Sequence, residues 1–180
     1  MKTIVLLGST GSIGRNTLQV VTDQPGRFKV AGLSAHTSVD LILEQAAKFG
    51  VRDLCLTDAS ALAELRLRAK GTNLRIHPRP EDLVSLEDVD LVVGAIVGSA
   101  GMRANLAAVS LGLDLALANK ETLVMAGDVV MREADRTGAR ILPVDSEHSA
   151  LWQCLWGSKA EDVESLILTA SGGPFRGRSR

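Results

Sequence analysis

Three short stretches hold side chains able to do chemistry, and each falls where an apolar run gives way to a helical pattern. The first is Gly8-Ser9-Thr10-Gly11-Ser12-Ile13-Gly14. Its glycines permit a tight turn and close backbone approach to a diphosphate, which then sits on the free N–H groups and positive dipole end of the next helix. Ser9, Thr10 and Ser12 are expected to add hydroxyl donors. A glycine pattern alone says little. Here it directly follows the apolar run 4–7 and opens a helix, the setting in which it reads as dinucleotide binding rather than as a plain turn. The spacing is G-x-x-G-x-x-G, a variant of the commoner G-x-G-x-x-G.

The second stretch is Asn119-Lys120-Glu121, just after a predicted strand at 114–118. Ligands of open α/β sheets bind at that edge. Lys120 there could hold a phosphate or polarise a carbonyl. Equally, Asn119 could cap the following helix, with Lys120 and Glu121 in its solvated first turn. The third is Asp145-Ser146-Glu147-His148, after a predicted strand at 140–144. Two carboxylates at such a turn can converge on a hard divalent cation, Mg²⁺ or Mn²⁺. The same residue types are common at helix N-termini for capping reasons, and spacing alone leaves both readings open. The predicted turn points His148 away from the two acids, which suits a packing or supporting role better than a ligand. Ser171-Gly172-Gly173-Pro174 follows a further predicted strand and reads either as a phosphate site or as a plain turn.

Cofactor preference turns on the end of the second strand. NAD sites usually place Asp or Glu there, on the ribose 2′-hydroxyl. This chain has His36-Thr37-Ser38 and no carboxylate until Asp40. That absence leans towards NADP, with His36, Thr37 and Ser38 available to hydrogen-bond a 2′-phosphate, although the loop lacks an Arg or Lys.

The elements needed to position these residues are legible as alternating apolar runs and helical patterns. Strands are predicted at 4–7, 28–34, 53–56, 74–76, 90–97, 114–118 and 140–144. Helices are predicted at 12–22, 39–49, 59–70 (capped by Asp58), 80–86, 102–111, 121–136 and 146–156. Strands separated by helices imply βαβ units around a parallel sheet. The expected fold is therefore α/β, a Rossmann-type doubly wound, mostly parallel sheet. The pattern changes after Val144. A strand at 165–169 then reads as the start of an incomplete α+β catalytic domain, giving a cofactor domain at 1–150 and the beginning of a second domain at 151–180.

Composition fits that picture. The 180 residues include 46% hydrophobic and 23% charged residues, ordinary for a globular chain. Aromatics are scarce, so the core must be aliphatic, as parallel sheets usually are. A net charge of −1 gives no support to a nucleic-acid or anionic-membrane partner. The N-terminal apolar run is too short for a signal peptide, and no stretch reaches the apolar length of a membrane span. A cytoplasmic location is expected. Cys55 and Cys154 lie in apolar surroundings and read as two buried thiols.

Taken together, residues 8–14, 117–124, 142–150 and 168–175 resemble 1-deoxy-D-xylulose 5-phosphate reductoisomerase, in the same order along the chain. The Pro143-Val144-Asp145-Ser146-Glu147-His148 run is the most specific of these. The resemblance implies a metal-assisted rearrangement of 1-deoxy-D-xylulose 5-phosphate, followed by reduction with NADPH to 2-C-methyl-D-erythritol 4-phosphate, in isoprenoid precursor synthesis. It further implies that Thr10, Gly11, Ser12, Ile13, Asn119 and Glu121 contact NADPH. Lys120, Ser146, Glu147 and Ser171 would contact the phosphorylated sugar, and Asp145 and Glu147 would bind Mn²⁺ or Mg²⁺. A homodimer is implied for the full-length protein.

The chain departs from the family in two ways. Its His36-Thr37-Ser38 replaces the usual Gly, basic residue or Ser, and Asn. It is also much shorter than family members, so it reads as an N-terminal fragment with little turnover alone. One rival, an NADP-dependent oxidoreductase of the semialdehyde or homoserine dehydrogenase type, accounts for the glycine turn but not for the acidic pair; an alternative of a different class is a non-catalytic nucleotide-binding module.

Overall fold

The computed structural model describes residues 1–168 and Gly177. Seven strands form one sheet: β1 (Lys2–Leu7), β2 (Phe28–Ala35), β3 (Asp53–Leu56), β4 (Arg75–His77), β5 (Leu91–Gly94), β6 (Asp114–Leu117) and β7 (Ile141–Pro143). Their order is β4-β3-β2-β1-β5-β6-β7, and every pairing is parallel. Strand order reverses beside β1, so the loop leaving β1 opens into the crevice between the two halves.

Among the described residues seven α-helices accompany the strands: α1 (Ser12–Asp23), α2 (Val39–Phe49), α3 (Ala59–Arg68), α4 (Pro80–Val84), α5 (Met102–Ser110), α6 (Glu121–Thr137) and α7 (Ser146–Leu155). Side chains alternate across a strand, and β1 feeds both faces of the sheet. Ile4 and Leu6 pack with Leu18, Ile42 and Leu65 from α1, α2 and α3. Val5 and Leu7 pack with Leu83, Ala108 and Val130 from α4, α5 and α6. The core is almost wholly aliphatic, and each fully buried Leu contributes roughly 1.5–3 kcal/mol of transfer free energy.

Local chemistry ends the helices where the sequence says. Asp58 accepts the Ala61 N–H at 2.9 Å and caps α3. Gly50 and Gly138 adopt left-handed φ values of 68° and 78° and close α2 and α6. The helix α6 is broken at Ala126, whose φ of −142° lies outside the helical range. Its first turn is thereby set apart from the rest.

Three expectations are corrected. The strand expected at 90–97 pairs only over Leu91–Gly94, because the carbonyls of Ile96 and Gly98 bond the Asn119 side chain instead of a neighbouring strand. No strand forms over 165–168; Leu166, Ile167 and Leu168 are exposed, with no described strand to pair with. Thr169 lies outside the described residues. Cys55 is buried, but Cys154 is exposed. The reason is that α7 buries none of its residues against the described chain, so its apolar side chains, Trp152 among them, stay accessible.

Candidate functional site

The turn after β1 is built from backbone. Gly8 has φ +86°, and a Cβ there would stand 2.5 Å from the Ala95 carbonyl oxygen. A Cβ on Gly14 would overlap the Gly8 carbonyl oxygen and the Ser9 backbone. The N–H groups of Gly8 and Ser9 both donate to the Ser34 carbonyl, at 3.0 and 2.8 Å, which ties the turn to β2. Gln45 Nε2 donates to the Ser9 carbonyl at 3.0 Å. The Arg15 N–H bonds the carbonyl of Gly11, the N-cap residue. The amides of Ser12, Ile13 and Gly14 therefore precede the first intrahelical donor, the Arg15 N–H, and Gly11 has no side chain to cap them. Gly11, Ser12 and Ile13 are exposed and Thr10 half-buried, so this helix end is open to an anion. Ser9 is not one of its donors: it is fully buried, and its hydroxyl finds no partner among the described residues.

His36 and Thr37 are exposed at the end of β2, and Ser38 is half-buried. His36 Nδ1 lies 2.8 Å from Thr57 Oγ1, on the loop after β3. Asp58, next to Thr57, has its carboxyl held below the usual carboxylate range by the Ala61 N–H first and the Ser60 hydroxyl second. Asp40 pairs with Arg68 of α3 at 2.6 Å.

Asn119 follows β6 and is 3% exposed. Its side-chain N–H groups donate to the carbonyls of Ile96 and Gly98, and its Oδ1 accepts the Thr122 N–H at 3.1 Å. The capping role left open by the sequence is thus filled by the side chain, and Lys120 and Glu121 project into solvent on the first turn of α6. Behind them, Thr122 Oγ1 accepts from Asn105 Nδ2 at 3.0 Å, both residues being buried. Gly94 leaves the room that Asn105 Oδ1 occupies, since a Cβ there would overlap it. The sequence reading missed this network: an Asn and a Thr in apolar helices carry no periodic signal.

Asp145, half-buried, is the N-cap of α7 and accepts the His148 N–H at 3.4 Å. His148 Nδ1 also contacts Asp145 Oδ2. This corrects the expectation that His148 points away: one helical turn brings residue i+3 back over its cap. Glu147 instead approaches Lys120, with Oε2 and Nζ 4.0 Å apart. Ser146 is exposed, and Ser171 lies outside the described residues. The structure therefore joins Lys120 to Glu147 and Asp145 to His148. No group of three or more His, Cys, Asp or Glu arranged to hold a metal occurs among the described residues.

A seven-stranded parallel sheet with the glycine turn at its switch point defines a Rossmann-type α/β protein. The family model for 1-deoxy-D-xylulose 5-phosphate reductoisomerase matches residues 4–127, and the model for that enzyme's C-terminal domain matches 141–180. The chain belongs to the 1-deoxy-D-xylulose 5-phosphate reductoisomerase family.

It is 48% identical to the reductoisomerase of Pelotomaculum thermopropionicum over 180 residues, 98% of this chain and 46% of that protein. It is 44% identical to that of Thermodesulfovibrio yellowstonii over 99% of this chain and 47% of that protein. The chain thus spans about half the length of the curated relatives it matches. Among solved structures, the Zymomonas mobilis reductoisomerase in complex with NADPH superposes with a TM-score of 0.85 at 36% identity, covering 99% of this chain and 48% of that one. A DOX-P reductoisomerase with fosmidomycin and magnesium gives 0.88 at 37% identity, with the same coverage. A homoserine dehydrogenase from Archaeoglobus fulgidus, at 22% identity and a TM-score of 0.52, covers 79% of this chain and 42% of that one and shares the fold.

Proposed function

We propose that the protein carrying this chain converts 1-deoxy-D-xylulose 5-phosphate to 2-C-methyl-D-erythritol 4-phosphate with NADPH and a divalent cation, a step towards isoprenoid precursors. One observation carries the reading. The open amides after β1 and the Lys120–Glu147 pair after β6 and β7 stand at the same edge of one parallel sheet. A cofactor diphosphate and a polar reacting group are thereby served side by side.

In this reading residues 1–150 form the cofactor domain, and 151–180 begin a catalytic and connecting domain. The backbone of Thr10, Gly11, Ser12 and Ile13 holds the diphosphate, and His36, Thr37 and Ser38 face the 2′-phosphate. Because the Asn119 side chain is spent on Ile96, Gly98 and Thr122, Asn119 meets the cofactor through its backbone, beside Glu121. Lys120 holds a fixed positive charge next to the substrate oxygens, Ser146 donates a hydroxyl to them, and Ser171 binds the substrate phosphate. The carboxylate oxygens of Asp145 and Glu147 suit Mg²⁺ or Mn²⁺, which when bound supplies charge that stabilises a developing oxyanion. Bound NADPH supplies the hydride.

Support comes from the relatives: reductoisomerases have been solved in complex with NADPH and in complex with fosmidomycin and magnesium. No helix among the described residues is long and apolar enough to cross a membrane. We place the protein in the cytoplasm, as a homodimer at full length, and expect the 180 residues alone to turn over little. The test is NADPH oxidation by the full-length protein. It is expected only when the phosphosugar and a divalent cation are both present, and it should stop on chelation. Reduction of a semialdehyde without metal would overturn the proposal in favour of a dehydrogenase, and nucleotide binding without any turnover in favour of a binding module.

A further inference from the structure

The loop after β2 has no basic side chain with which to meet a 2′-phosphate, since residues 36–38 are His, Thr and Ser. A neutral imidazole can do that work if one ring nitrogen presents a proton to the anion and the ring is held in place. Thr57, the residue after β3, holds the ring, with Oγ1 at 2.8 Å from His36 Nδ1. When that hydroxyl donates to Nδ1, the ring proton sits on Nε2, on the far side of an exposed residue.

The loop holding Thr57 is itself fixed to β2. The Thr57 N–H donates to the Ala35 carbonyl at 3.0 Å, and the Asp58 N–H to the His36 carbonyl at 3.2 Å. Two acids close in sequence to these loops would repel a phosphate if free, but both are engaged. Asp58 accepts from Ala61 and Ser60, and Asp40, the only acid in the first turn of α2, pairs with Arg68.

We infer that Thr57 is a positioning residue that fixes the His36 ring with Nε2–H outward, so that an imidazole reads the 2′-phosphate in place of Arg or Lys. This rests on the reading of the neighbouring turn as an NADPH site.

Calorimetric titration of the full chain with NADPH and with NADH tests it. Thr57→Val is expected to weaken NADPH about three- to tenfold, the scale of one hydrogen bond, and to leave NADH unchanged. Thr57→Ser, which keeps the hydroxyl, should restore NADPH binding. In a His36→Ala background, Thr57→Val should cost nothing further. An unchanged NADPH affinity in Thr57→Val, or equal weakening of both nucleotides, overturns the inference and leaves the dinucleotide reading standing. If Thr57→Val does not fold, His36→Ala alone decides, and an unchanged preference for NADPH over NADH overturns the inference. A wild-type chain that binds neither nucleotide overturns the underlying reading and this inference with it.

Discussion

Lys120 Nζ stands 4.0 Å from Glu147 Oε2, the two residues carried by the ends of the adjacent parallel strands β6 and β7. The lysine side chain is 56% exposed, and pairs this wet contribute under about 1 kcal/mol. The contact is therefore about placement, not stability. Lys120→Ala should leave the urea midpoint of the chain nearly unchanged, yet lower turnover of the full-length protein by about a hundredfold, the usual effect of losing one electrostatic stabiliser. A stability loss with normal turnover would remove Lys120 from the chemistry.

Metal affinity should report on the acidic turn. Glu147→Gln is expected to weaken Mn²⁺ binding by at least the roughly ten- to hundredfold that losing a supporting partner costs, and His148→Ala, which removes the ring that orients Asp145 Oδ2 but keeps the backbone N–H bond to it, by about tenfold. Paramagnetic resonance of free Mn²⁺ against full-length protein measures both. Unaltered affinity in Glu147→Gln would mean that the carboxylate serves Lys120 alone.

The glycine turn makes a steric prediction. A methyl group at residue 14 meets only backbone, which cannot swing aside. Gly14→Ala should cost about 1–3 kcal/mol in denaturant unfolding, as overpacking generally does, and abolish NADPH binding. Full binding by Gly14→Ala would show that the turn can relax.

Acid should unfasten one edge of the sheet. Burial alone would raise the Asp53 carboxyl, but hydrogen bonds from Arg75 and then His77, with their charges, outweigh it and hold it below its ordinary value. A lowered carboxyl stabilises the fold above the unfolded-state titration near pH 4 and loses that contribution as pH falls through the folded-state value. Asp53→Asn should be less stable than wild type at neutral pH, and the gap should close below about pH 4. Urea unfolding across that range measures it; a gap independent of pH would assign the effect to packing.

Thiol chemistry separates the cysteines. Burial, above all, pushes the Cys55 thiol up to about 12, whereas Cys154 is exposed on α7. An aromatic disulfide reagent should therefore label one thiol in the folded chain and a second only after unfolding. Rapid labelling of both would place Cys55 in a mobile part of the sheet.

Much of this architecture was legible because its signals are local. Asp58 and Gly138 mark helix ends by hydrogen bonding and by φ, and the apolar runs 4–7 and 53–56 announce strands. What escaped depends on what lies alongside. Ser9 looks like a phosphate donor in sequence, yet the close approach of α1 turns it inward. His148 could be placed against Asp145 only with the helical turn in hand. Asn105 and Thr122 sit in apolar helices and acquire a role only when α5 and α6 pack. Cys154 reads as a buried thiol in sequence and is exposed, since α7 buries none of its residues against the described chain.

The missing Cβ at residue 94 has a consequence for how the sequence can drift. Asn105 Oδ1 fills the space a side chain at 94 would need, and through Thr122 the same amide reaches the turn that presents Lys120. Positions 94 and 105 are therefore one inherited unit. An alanine at 94 would have to displace the Asn105 amide, and with it the bond to Thr122, so the two sites are expected to change together.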